Sequence, residues 1–114
     1  MSACPPQYSM PAGTVLKATV TWQNTGTQAH AFDIAVGVGK GTSPADFKYS
    51  AYNIAFDVYS NPGDTRTTDV QVGPLGTDLT GTWDIIVLIG DWDPVNQVFS
   101  YTDWLVCYDV LVVG

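Results

Sequence analysis

A chain of 114 residues sits in the commonest size range for one domain, and 46% hydrophobic residues suffice for one core without a metal or cofactor as scaffold. The net charge of −7 rests on only four basic side chains, which argues against a nucleic acid backbone or an anionic lipid surface as partner, since both need clustered Lys or Arg. The longest apolar run, Ile85 to Ile89, falls far short of the roughly 20 residues of a membrane-spanning helix, so no membrane insertion is expected. All eleven acidic residues are aspartate, and Thr, Val, Tyr, Trp and Gly take the places that Glu, Lys and Arg fill in exposed helices. These are strand and turn residues, so composition alone leans all-β.

The first residues, Met1 to Pro11, hold three prolines and read as an extended tail or edge segment. They lack the basic start and apolar middle of a secretory signal. From Thr14 to Gln23 the chain alternates, with Leu16, Ala18, Val20 and Trp22 on one side and Val15, Lys17, Thr19 and Thr21 on the other. That is the pattern of a half-buried strand. Asn24-Thr25-Gly26-Thr27 is turn chemistry. A second strand follows with Phe32, Ile34, Val36 and Val38 inward and Asp33 outward, and Gly39 to Pro44 is a loop.

Between Asp46 and Ser60 the apolar phase changes near Ala51-Tyr52, which fits one strand with a bulge or two strands at a corner. Asn61-Pro62-Gly63-Asp64 is a strong turn signal, and Arg66, Thr68, Val70 and Val72 carry the next strand. A loop from Gly73 to Gly81 leads into Trp83 to Ile89, apolar on both phases and therefore a central strand covered on both faces. Gly90 to Gln97 reads as another loop. The last element, Val98 to Val113, is expected to break near Thr102-Asp103. Seven or eight short strands without a helical period predict an all-β, immunoglobulin-like, two-sheet antiparallel sandwich over residues 12–114, with a closed barrel as the competing architecture.

Three motifs carry a family resemblance. Trp22-Gln23-Asn24-Thr25-Gly26 is similar to an "xNxG" hairpin, Pro62-Gly63-Asp64-Thr65 to a "PG-x-T" turn, and Gly81-Thr82-Trp83-Asp84-Ile85 to a "G-x-W/Y-x-hydrophobic" strand. In this order, across roughly residues 12 to 114, they resemble the CARDB-like group of immunoglobulin-like modules related to bacterial cell-adhesion proteins. The resemblance implies a spacer, adhesion unit or accessory domain on cell-surface proteins or virus particles, and it brings no catalytic residues with it.

Candidate chemistry is sparse. The one histidine, His30, has no recognisable nucleophile setting around it, and with eleven aspartates some close carboxylate pair is expected by chance. The expectation is a non-enzyme. Asp91 and Asp93, with Asn96 nearby, place oxygen ligands at alternate positions, as a Ca²⁺ site requires, but the glycine and glutamate of an EF-hand loop are missing. The same residues also suit a plain hairpin loop with Asx turns. Trp92, Trp104 and Tyr101 are candidates for an exposed aromatic surface, able to anchor a protein interface or, with Asn96, to stack on a sugar, and otherwise to cap the core.

Cys4 and Cys107 lie near opposite ends, and a bridge between them would close a loop of about 100 residues, worth some 4–5 kcal/mol in the chain-entropy model. Two unconnected thiols are the alternative. The functional expectation is a structural, assembly or adhesion module of a cell-surface or virion protein, extracellular or on a particle, contacting protein partners or itself through sheet edges. A carbohydrate- or ligand-binding module built on residues 90–97 and the neighbouring aromatics is the second reading.

Overall fold

The computed structural model describes residues 7–114, which form seven strands: β1 (Tyr8–Met10), β2 (Leu16–Gln23), β3 (His30–Lys40), β4 (Lys48–Ser60), β5 (Thr65–Val72), β6 (Gly81–Asp93) and β7 (Val98–Val113). They make a five-stranded sheet in the order β1-β7-β6-β3-β4 and a two-stranded sheet, β2-β5. All pairings are antiparallel except the first. β1 runs parallel to the end of β7, Tyr8 opposite Leu111, so the larger sheet is mixed, where a purely antiparallel one was expected.

The alternation of β2 is realised residue by residue. Leu16, Ala18, Val20 and Trp22 are buried, and Lys17, Thr19, Thr21 and Gln23 face solvent. β5 answers in register, Leu16 opposite Val72 and Trp22 opposite Arg66. The inner side of this pair packs on Ile34, Val36 and Val38 of β3, Ile85, Val87 and Ile89 of β6, and Cys107 and Leu111 of β7. One core therefore lies between two layers, as a sandwich requires. Trp22, only 2% exposed, stands edge-on to Phe32 with ring centroids 5.3 Å apart, and its indole N–H donates to Thr68 Oγ1 at 3.0 Å.

The β2–β3 and β4–β5 turns are joined by one side chain. Asn24, 2% exposed, donates from Nδ2 to the carbonyls of Gln28 and Ser60 and accepts from the Gly26 amide at Oδ1. Its backbone accepts from Gly63 and donates to Asp64. A buried amide with every arm engaged fixes geometry in a way an apolar residue could not. The loop before β6 is less idle than its sequence suggests: a 3-10 turn at Thr77–Leu79 drops Leu79 into the core beside the fully buried Leu75, and the Trp83 indole donates to the Leu79 carbonyl at 2.8 Å.

Bulges decide which face each side chain takes. Between the β3–β4 pairs Val38↔Ala51 and Gly39↔Tyr49, Ser50 is the extra residue. That slip is the phase change seen in the sequence: β4 is one strand, and Tyr49 and Tyr52 share a face because of it. Opposite Asp33, β4 carries two residues, Phe56 and Asp57, and opposite Asp84, β7 slips between Cys107 and Leu111. At each site the aspartate on the regular strand accepts the amide of the bulged residue: Asp57 N–H to Asp33 Oδ1 at 3.0 Å, and Asp109 N–H to Asp84 Oδ1 at 2.9 Å. Asp57 and Asp109 hold positive φ of 57° and 53°. Asp33, expected outward and solvated, does lie on the outer side but is only 7% exposed, because it also accepts the Trp92 amide at Oδ2.

Two boundary expectations are corrected. β6 continues through Gly90 to Asp93, leaving only residues 94–97 as a hairpin loop, because Trp92 pairs with Phe99 across it. β7 does not break at Thr102-Asp103. Thr102 is a bulge residue, with Tyr101 opposite Gly90 and Asp103 opposite Ile89, and the strand runs on unbroken.

Candidate functional site

The two outer faces of the molecule differ in kind. Outside β2-β5 stand Lys17, Thr19, Thr21 and Gln23 beside Gln71, Asp69, Thr67 and Thr65. Thr19 donates to Asp69 at 2.8 Å, Lys17 pairs with the same carboxylate at 3.4 Å, and the Thr21 and Thr67 hydroxyls are 3.4 Å apart. This is an ordinary solvated face. The outer face of the five-stranded sheet is apolar and aromatic.

That face can be read row by row from the register. Ile54, Ala35, Leu88 and Trp104 form one row across β4, β3, β6 and β7, and Tyr52, Gly37, Ile86 and Val106 form the next. Beyond them Tyr49 stands opposite Gly39. Ala35, Ile86, Leu88, Val106 and Phe47 make a second apolar cluster, separate from the core, on which Ile54 and Phe99 pack. On β3 the row positions are Ala35, Gly37 and Gly39, so the middle of the face is low, and its flanks are high with rings from β4 and from the β6–β7 hairpin. The result is a groove of about 180 Å³ walled by Tyr49, Tyr52, Trp92 and Phe99 over a floor of Gly37 and Ile86. Glycine is required at the floor: a Cβ on Gly37 would overlap the Tyr49 ring, and one on Gly39 would overlap the Lys48 carbonyl.

The rim is aromatic and open to solvent. Tyr52 is 64% exposed and Trp104 40%, and Phe56, Tyr59, Tyr101 and Tyr108 are likewise exposed. Tyr49 meets Phe47 at 5.0 Å and Tyr52 at 6.0 Å, ring centre to ring centre. Burial pushes the Tyr49 phenol above its ordinary value, and the neighbouring Tyr101 phenol adds to the shift. Tyr49 is 44% exposed, so the wall is open to solvent there too, less than at Tyr52.

Of the residues singled out in the sequence, Trp92, Trp104 and Tyr101 come together on this face, with Trp92 half-buried in the groove wall. Asn96 does not join them. It sits at the hairpin tip and donates from Nδ2 to Asp93 Oδ2 at 2.7 Å. Asp93 turns back on its own loop, also accepting the amides of Val95 and Asn96, and these bonds, led by the Asn96 side chain, hold its carboxyl below the usual range. Asp91 pairs instead with His30 Nε2 at 2.6 Å, both side chains about half exposed. Asp91 and Asp93 thus point to different partners, and among the described residues no three of His, Cys, Asp or Glu gather as a metal-ligand group. Ser60, in register with His30, is fully buried and donates its hydroxyl to the Asn61 carbonyl.

No family model, curated protein or solved structure matches the chain.

Cys107 is buried in the core and is disulfide-bonded, and the Cys4 end of the expected bridge lies outside the described residues. The aromatics of β4 carry most of the groove, and sequence reading placed Tyr52 and Phe56 only as strand residues. The signal was the pairing of Ala35-x-Gly37-x-Gly39 with that aromatic strand, since small residues opposite large ones make a depression.

A second loop is held in the same way as the hairpin tip. Asp46 accepts the amides of Thr42 and Ser43, each at 2.8 Å, together with the Thr42 hydroxyl. The Thr42 hydroxyl, first, and these amides lower its carboxyl. Because the folded values of Asp46 and Asp93 lie below the unfolded one, their contribution is complete above the ordinary carboxylate value of about 3.9 and is lost as pH falls through the lowered folded values. An amide NMR titration is expected to show Thr42, Ser43, Val95 and Asn96 shifting together with midpoints below about 3.9. Midpoints at or above that value contradict the assignment.

Proposed function

We propose that the protein is a non-catalytic adhesion or assembly module, an immunoglobulin-like sandwich of the CARDB-like kind, whose contact surface is the outer face of its five-stranded sheet. The observation that carries this reading is the asymmetry of the two outer faces. Threonine, glutamine and a Lys17–Asp69 pair cover one sheet, and on the other Tyr52, Phe56, Tyr59, Tyr101, Trp104 and Tyr108 are left in water. Scattered exposed hydrophobics are normal, but a contiguous aromatic patch around an apolar groove is the signature of a contact surface. Tyrosine and tryptophan are also the side chains that contribute most at protein interfaces.

The two turn motifs behind the resemblance meet through Asn24, which supports reading them as parts of one fold signature. A disulfide-bonded Cys107 suits an oxidising setting such as a cell surface or an exported particle. The carbohydrate reading draws on the exposed Trp104 and Tyr101. It is the weaker one, because Asn96, the amide it would use, is committed to Asp93, and the groove walls offer little beyond two phenols to a sugar's hydroxyls. Hydroxyl-radical footprinting tests the proposal: within its parent assembly the chain is expected to be protected at Tyr52, Tyr101 and Trp104.

A further inference from the structure

The ends of the groove carry charge, and it is all of one sign. Ile34 and Ile85 point into the core, so their neighbours Asp33 and Asp84 face the opposite side, that of the groove. Asp33 stands at one end of its floor, and Asp84, opposite Gly39, at the other. Each has a second aspartate beside it, Asp57 and Asp109, whose amides they hold at 3.0 and 2.9 Å. The chain's four cations are elsewhere. Lys17 and Arg66 belong to the β2-β5 sheet, and Lys40 and Lys48 follow and precede the groove residues Gly39 and Tyr49, so strand alternation turns them away. Lys40 is further engaged with the Thr82 carbonyl at 2.6 Å.

Size and spacing narrow the occupant. Apolar cavities of about 150 Å³ take up a single benzene ring, so a groove of about 180 Å³ suits one aromatic or branched aliphatic side chain. Ridges of rings flank the floor, Tyr49 and Tyr52 from β4 on one side and Trp92 and Phe99 from the β6–β7 hairpin on the other, with β4 and β6 about 10 Å apart across β3. A helix, itself 10–12 Å across, would ride on those ridges, whereas an extended chain can lower a side chain between them. The six residue steps from Asp33 to Gly39 span about 20 Å, placing one carboxylate pair about four extended residues from Gly37 and the other about two.

We infer that the groove receives an extended basic segment of a partner protein, one large apolar side chain seated over Gly37 and, on the same side of the segment by strand alternation, a Lys or Arg four residues away towards Asp33 and another two residues away towards Asp84. The inference rests on the outer face being a contact surface. An anionic amphiphile or an acidic segment would meet carboxylates at both ends and is rejected. A second copy of this chain, with its net charge of −7, is a poor occupant for the same reason.

The probe is a peptide with tryptophan at its centre, lysine two and four positions to either side and serine between, compared with the same peptide carrying glutamate in place of lysine. Both are titrated into the full chain and followed by amide NMR. The basic peptide is expected to shift Ala35, Gly37, Tyr52 and Ile86 and to bind about tenfold tighter than the acidic one at low salt. That gap should shrink to under about twofold at 1 M salt and in the variant Asp57→Asn with Asp109→Asn. Asparagine is the substitution that positive φ tolerates best, so this variant keeps the bulges. Tyr52→Ser, at an exposed position, should abolish the shifts without unfolding the protein. Equal binding of both peptides on the groove overturns the charge selection and leaves the face as a contact surface. Absence of groove shifts with either peptide overturns the inference and counts against the face itself.

Discussion

Trp22→Ala is expected to cost about 4 kcal/mol of stability, near the middle of the range for removing a buried large aromatic. The indole is 2% exposed, fills the space between the two sheets against Phe32, and gives its N–H to Thr68. Alanine leaves a cavity that two paired strands cannot close, and it strands the Thr68 hydroxyl at the edge of the core. For a chain of this length the loss corresponds to a fall of about 15 °C in melting temperature. Chemical denaturation checks it, and a loss under about 1.5 kcal/mol would mean that the sheets are held together elsewhere. Against a total stability of about 5–15 kcal/mol, the expected loss removes between about a quarter and four fifths of it.

Asp33→Ala is expected to be nearly as damaging, about 3 kcal/mol, for a different reason. The carboxylate sits on β3, between β4 and β6, and accepts one amide from each neighbour, Asp57 on β4 and Trp92 on β6. Alanine leaves both donors in a nearly closed space without a partner. Each such orphan costs about 1–3 kcal/mol, and the charge on the acceptor places these bonds among the stronger ones. Asp33→Asn keeps one acceptor and should recover about half of the loss. The damage should also be local: hydrogen exchange is expected to rise first at Asp57 and Trp92, at the Asp33 end of the groove. If Asp33→Ala and Asp33→Asn prove equally mild, the bulge is held by strand pairing alone.

What was legible in the sequence follows the physics of alternation. β2 reads clearly because one side faces the core and the other faces water, so Leu16 to Trp22 and Lys17 to Gln23 separate cleanly. β6 reads as a strand apolar on both phases because it is central, with β3 and β7 on either side and the second apolar cluster on its outer face. The turns at Asn24-Gly26 and Asn61-Asp64 follow from residue chemistry, but that Asn24 joins them does not, since that contact is set by the two sheets meeting.

The groove was the least legible part. Its walls come from β4 and from both arms of a hairpin, and bulges at Ser50, at Phe56-Asp57 and at Thr102 each shift the phase by which a face is read. Gly90 and Asp91 suggest a loop, yet strand pairing runs on to the Asp93–Val98 pair because Trp92 and Phe99 pack across it. Asp33 looks like a solvated polar position and is instead a buried acceptor. The three-residue β1 offers no period to detect, and its parallel pairing depends on where β7 ends.

The central claim is that the aromatic outer face of the five-stranded sheet is a surface for contact and not a part of the fold's own core. Hydroxyl-radical footprinting of the chain, free and within its parent assembly, tests this most directly. The account predicts strong oxidation of Tyr52, Tyr101 and Trp104 in the free chain and severalfold protection of all three in the assembly, with Val15, exposed just before β2, oxidised equally in both. Equal oxidation of the three aromatics in both states, or protection confined to the β2-β5 sheet, would contradict it.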